Sequence, residues 1–176
     1  MNKLTHYKIP VSPRFLSGHP RAGEKTDFVE KIVNNKSIWG GLESTRLLSQ
    51  EEFGVKIHTI RKNYPLWKKR MQKVYDGRAV IDLCYWAKPG GRFTPGNELI
   101  TFATLDKDSG CGVQKIIFKD NFVCAAIETS YAANLVVPAS IISVNDGLSL
   151  EDLEAWFKGY DLSEPMAIIH FTKFRY

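Results

Sequence analysis

Cysteine is scarce in this chain and poorly spaced for its two structural uses. Cys84, Cys111 and Cys124 are the three present. An odd number with no Cys-x-x-Cys pair offers neither a disulfide framework nor a zinc cluster, so reduced, buried thiols are expected. His6, His19, His58 and His170 are scattered without ligand spacing, and no metal is expected. A phosphate-cradling Gly-x-x-x-x-Gly-Lys-Ser/Thr loop is missing, as is a dinucleotide fingerprint, so no cofactor is implied. No apolar run approaches the length of a bilayer span. Met1-Asn2-Lys3-Leu4-Thr5-His6 also lacks the apolar centre of a secretion signal. The expectation is a cytoplasmic protein with no membrane partner. Internal repeats, low-complexity tracts and linkers are absent too, so the 176 residues are expected to form a single domain around one well-filled core.

Positive charge is present and unevenly placed. The net charge is +5, and between Lys56 and Arg78 eight basic residues face the single acid Asp76. Such a cluster suits a phosphate-bearing ligand, a nucleotide or RNA, and it equally suits a solvated helix face. Tyr64-Pro65 can open that helix, because proline lacks only an N–H that a first turn leaves unpaired. Trp67, Met71 and Val74 mark its buried stripe, Lys68, Lys69, Arg70 and Lys73 its remainder, and Asp76-Gly77 its stop.

Elsewhere the pattern is mostly β. Lys3 to Val11 reads as an edge strand closed by Pro10 and Pro13. Asp27-Phe28-Val29-Glu30 has the form of a capping box before a short helix ending at Asn34-Asn35. Residues 36–53, with Trp39, Gly40-Gly41 and Glu51-Glu52, read as a long excursion, either a lid, a subunit contact or a packed loop. Arg78 to Trp86 alternates as a strand, and Ala87 to Asn97 is a loop rich in proline and glycine. Trp86 and Phe93 at the ends of that loop are candidates for stacking a base, or in the case of Trp86 for the core. Leu99 to Thr104, Val113 to Lys119 and Phe122 to Thr129 continue as strands, the last two as a hairpin about Asp120-Asn121. Leu135 to Pro138 and Ile141 to Val144 read as short β segments. Ser149 with Asp152 caps a helix to Phe157, and Met166 to Phe171 is a buried strand in which His170 is a core or barrel-lining histidine. Many closely spaced strands with few long helices point to an α+β fold built on a closed or partly closed barrel.

The densest chemistry lies in Gly54-Val55-Lys56-Ile57-His58-Thr59-Ile60-Arg61. With Gly54, Lys56, Thr59 and Arg61 at its marked places, this stretch resembles the Gly-x-Lys motif of the ASCH domain, a small β-barrel of the PUA-like group with flanking helices. The resemblance covers the motif, the helix before it, the strand after it and the C-terminal region, and because in the family that helix leads directly into the motif, it implies that residues 36–53 are an insertion. It implies recognition of a nucleoside, a nucleotide or RNA. It is similar in particular to small bacterial acetylcytidine amidohydrolases, which implies Lys56 as proton acceptor, Thr59 as nucleophile and Asp146 as the acid. Asp146 is one methylene shorter than the glutamate that the family carries there.

Geometry sets a condition on that assignment. In a flat strand Lys56 and Thr59 point to opposite faces, whereas a turn or bulge brings them together. A threonine hydroxyl is inert without a neighbouring base, and a lysine serves as that base only when burial or nearby cations make its neutral form accessible. Asp146 either carries a proton to the leaving amine or stays ionised and holds Lys56. His58, with an ordinary pKa near 6.5, is a secondary candidate beside Arg61. The alternative reading is a binding module without catalysis that tracks RNA through Lys68, Lys69 and Lys73. A third is an interaction subunit that uses the stretch around Trp39.

Overall fold

The computed structural model describes residues 3–34, 54–119, 122–129 and 134–176. The expected insertion at 36–53 and the hairpin tip at Asp120-Asn121 lie outside the described residues.

Strands β1 (Thr5–Pro10), β3 (Ala79–Trp86) and β4 (Leu99–Leu105) form a three-stranded sheet, with β1 parallel to β3 and β4 antiparallel to it. Strands β2 (His58–Arg61), β8 (Met166–His170), β5 (Gly112–Lys119), β6 (Cys124–Ile127) and β7 (Leu135–Pro138) form a five-stranded antiparallel sheet in that spatial order. Among the described residues four α-helices accompany them: α1 (Phe28–Val33), α2 (Tyr64–Tyr75), α3 (Ala139–Asn145) and α4 (Leu150–Phe157). The fold is therefore α+β. The strands of the described residues make two separate sheets and no closed barrel, where the sequence led to the expectation of a closed or partly closed one. Between the open edges of β2 and β1 there is a side-chain link: the Arg61 guanidinium donates to the Pro10 carbonyl at 2.5 Å.

Helix α2 packs against β3 of one sheet and against β5 and β8 of the other. Its stripe of Trp67, Met71 and Val74 is buried as its spacing predicts. Asn63 caps it, accepting the Leu66 N–H at 3.1 Å. Both sheets thus share one hydrophobic core with this helix.

Two local expectations are corrected. The residues Ile141 to Val144 belong to α3, not to a strand. β-branched residues gave the run a strand-like composition, but Ala139, Ile142 and Ser143 are the buried set, at helical spacing. The capping box at Asp27 does not form either. Asp27 sits at φ 55, in the left-handed region, and its side chain makes no cap bond, while Thr26 Oγ1 accepts the Phe28 N–H at 3.4 Å. At α4 the expected cap is made, Ser149 Oγ accepting the Asp152 N–H at 3.0 Å. No helix among the described residues is long and apolar enough to cross a membrane.

Candidate functional site

From Gly54, at φ +65 in the left-handed region, residues 55–57 lead into β2. The Ile57 N–H donates to the Asn145 carbonyl at 2.9 Å, and the Ile57 carbonyl accepts the Phe171 N–H at 2.8 Å. This prolongs the β2–β8 pairing, in which His58 faces His170 and Thr59 faces Ile169. Side chains alternate along such a chain. Lys56 and His58 fall on one side, and both reach Asp146, which follows α3.

The Lys56 ammonium donates to the Asp146 Oδ1 carboxylate at 2.9 Å and to the Asp146 backbone carbonyl at 2.7 Å. It also stands 4.1 Å over the Phe28 ring. All three of its N–H bonds have a place to go. Lys56 is 1% exposed, so it is not a surface cation. His58 Nδ1 lies 3.2 Å from the same Asp146 Oδ1, and His58 Nε2 lies 2.8 Å from the Tyr176 hydroxyl. Asn145 Nδ2 donates to that hydroxyl at 2.9 Å.

Burial acts on each charge here. It pulls Lys56 down to about 8, against the opposing pull of Asp146. Burial alone would raise the Asp146 carboxyl, but the Lys56 charge and the His58 hydrogen bond outweigh it and hold the group below the usual carboxylate range. Desolvation also lowers His58, so its imidazole is neutral at pH 7. Since an ionised carboxylate only accepts, the single ring proton belongs on Nδ1, facing Asp146, and Nε2 accepts from the Tyr176 O–H.

Gly147 makes the turn behind this cluster possible. At φ +75, a Cβ there would lie 3.1 Å from Lys56 Cβ, 3.2 Å from Lys31 Cδ and 3.3 Å from the Val55 carbonyl. Gly147→Ala is expected to cost about 1–2 kcal/mol in thermal unfolding, through left-handed strain and displacement of Lys56. An unchanged melting temperature would show that the turn relaxes freely.

Of the residues expected to work together, Lys56, His58 and Asp146 meet and Thr59 does not join them. The condition set by strand parity decides this: Lys56 to Thr59 is extended chain with no bulge in the β2 pairing, so the Thr59 hydroxyl faces the other side. Arg61 is engaged with Pro10. On α2, Lys68 and Lys69 are exposed and Lys73 is half-buried. None of the three forms an ion pair with a carboxylate among the described residues. Trp86 is half-buried at the end of β3, whereas Phe93 is 80% exposed, with the Arg92 guanidinium 4.7 Å over its ring. No hydrogen bond, ion pair or ring contact joins Trp86 or Phe93 to Lys56, His58 or Asp146.

Comparison with known protein families, curated proteins and solved structures gives no match to this chain.

Tyr176, Asn145 and Phe28 complete the cluster and were not singled out from the sequence. Asn145 had a signal, its adjacency to Asp146. Tyr176 had none, since it follows β8 by several residues of irregular chain. No group of three or more histidine, cysteine, aspartate or glutamate side chains among the described residues is arranged to hold a metal ion. A separate hollow of about 670 Å³ lies at the start of α2, lined by Lys62, Tyr64, Lys115, Asp161, Glu164 and Met166 among others. It does not include the Lys56 cluster.

Proposed function

We propose that this chain recognises a nucleotide-bearing ligand, a nucleoside, nucleotide or RNA, and is of the ASCH, PUA-like kind. The observation that carries the reading is the basic face of α2, where Lys69 and Lys73 stand one turn apart beside Lys68, with no carboxylate partner among the described residues. Lysines left without acidic partners suit phosphate oxygens, and their affinity for a polyanion comes from release of its counterions. Exposed Phe93 adds a ring on which a base can stack. The test is fluorescence anisotropy with single-stranded RNA at several salt concentrations. Replacing Lys68, Lys69 and Lys73 by glutamate is expected to weaken binding at least about tenfold and to flatten the salt slope by about two. Equal slopes for the two proteins would remove the phosphate-tracking surface.

A second reading, hydrolysis of the amide of an acylated cytidine, is favoured by one feature, the desolvated Lys56 amine with a pKa of about 8. At pH 7 about one such amine in ten is neutral. Because Thr59 lies on the other side of β2, water takes its place as nucleophile. The neutral amine accepts a proton from water as the water oxygen bonds to the acyl carbon. The resulting ammonium returns that proton to the departing cytosine amine as the C–N bond breaks, leaving a carboxylic acid and the free amine. Asp146, held ionised, steadies the ammonium rather than donating a proton. Release of cytidine from acetylcytidine by the wild type, and its loss in Lys56→Ala, is the expected result. No turnover by the wild type removes the reading.

A further inference from the structure

The Tyr176 phenol is used in an unusual way. Its oxygen receives the Asn145 Nδ2 proton at 2.9 Å and gives its own to His58 Nε2 at 2.8 Å. One atom thus meets a donor and an acceptor that are both carried by the site. The ring sits in an aromatic niche, with centroid distances of 5.8 Å to His58, 6.0 Å to His170 and 5.0 Å to Phe174. His170, 0% exposed, has no hydrogen-bond partner on either ring nitrogen. Buried polar atoms are rarely left so. The wall of the niche therefore keeps bonding capacity that a phenol does not use.

Tyr176 is held there by its backbone as well as by its ring, and among the described residues no strand follows β8. Gln114 clasps the Tyr176 backbone through its side-chain amide, donating to the carbonyl at 3.3 Å and accepting the N–H at 3.0 Å. Arg175 ties the preceding residues to the Gly110 carbonyl at 3.0 Å.

We propose that the niche filled by the Tyr176 ring is a binding site for a planar six-membered nitrogen heterocycle with an N–H beside a carbonyl oxygen, and that Tyr176 occupies it as an intramolecular stand-in. The ligand N–H donates to His58 Nε2, its carbonyl accepts from Asn145 Nδ2, and further polar atoms of a base meet the His170 nitrogens. The ligand class rests on the nucleotide-recognising reading above. An occupant within the chain lowers apparent affinity by the fraction of molecules in which the niche is vacant, so its removal tightens binding without any new contact.

The full chain and its Tyr176→Ala variant are titrated by calorimetry with uridine, which has the required edge, and with N3-methyluridine, whose N–H is blocked. Phenol serves as a control for the shape of the niche. Expected are a uridine Kd at least about tenfold lower in the variant than in the wild type, little binding of N3-methyluridine, and at least about a fivefold loss when Asn145→Ala is added. Phenol should raise the melting temperature of Tyr176→Ala and not that of the wild type. A variant that phenol stabilises but that binds uridine no better than the wild type, or no better than N3-methyluridine, overturns the proposal. If Tyr176→Ala does not fold, Tyr176→Leu removes the planar ring and keeps an apolar side chain. Uridine binding by Tyr176→Leu no tighter than the wild type overturns it equally. Failure of the α2 surface would instead show in the RNA salt titration, which uses a different part of the molecule.

Discussion

Replacing Asp146 with alanine is expected to cost about 3–5 kcal/mol of folding stability, because it leaves the Lys56 charge buried and without its counter-ion. Lys56 is 1% exposed, and both oxygen contacts of its ammonium are to Asp146. The variant keeps the backbone carbonyl and loses the carboxylate, so desolvation acts on the amine unopposed and its pKa falls below the about 8 of the native protein. His58 loses its acceptor at Nδ1 in the same step. Removing both charges together should do less harm. Lys56→Met with Asp146→Asn keeps an oxygen for the His58 N–H and no buried charge, and it should recover at least about half of the lost stability. Urea unfolding at pH 7 measures all three proteins. A cost below about 1 kcal/mol for Asp146→Ala would mean that the pair is hydrated in solution.

Acidification should destabilise the protein well before its carboxylates titrate. Burial, with help from the nearby His58 and Arg175, holds His170 well below its ordinary value of 6.5, and burial lowers His58 too. In the unfolded chain both imidazoles take up a proton near pH 6.5, while in the folded chain that uptake is displaced to lower pH. The unfolded state then binds more protons, so stability falls as pH falls through that region. For His170 alone the loss between pH 7 and pH 5 amounts to up to about 2 kcal/mol. Asp146 adds to it at lower pH, its folded carboxylate staying ionised where the unfolded one is protonated. Lys56 acts at the alkaline end. Between about 8 and its ordinary 10.5 the unfolded amine holds a proton that the folded one has released, so stability from this group rises with pH there.

His170→Leu isolates the histidine. It removes two buried nitrogens that have no partner, so the variant is expected to be no less stable than the wild type at pH 7 and more stable at pH 5. Denaturant midpoints at the two pH values decide it. An identical loss on acidification in both proteins would show that His170 is protonated in the folded state.

The legible parts of the sequence were those in which one periodicity dominated. Trp67, Met71 and Val74 announced α2, because one face of that helix is buried along its length, and the alternation from Ala79 announced β3, although that strand is buried on both faces from Ala79 to Cys84. The run Ile141 to Val144 misled because β-branched composition and helical burial spacing disagree there, and packing won. Asp27 misled because a capping box presumes a backbone angle that the sequence does not carry. Within the site, the meeting of Lys56 with Asp146 followed from the resemblance, and the separation of Thr59 followed from simple strand parity. Tyr176 was out of reach, since nothing in its neighbours says that a chain leaving β8 turns back to His58. Sheet closure is of the same kind: local patterns name strands, while their order is set by contacts between residues far apart.

Among the described residues β2 lies at an edge with β8 as its one strand neighbour. On a ribosome, His58 therefore emerges more than a hundred residues before the strand that covers it. The corollary is slow maturation: the polar heart of this molecule is sealed by pieces made long after it, in a closing step governed by long-range chain searching.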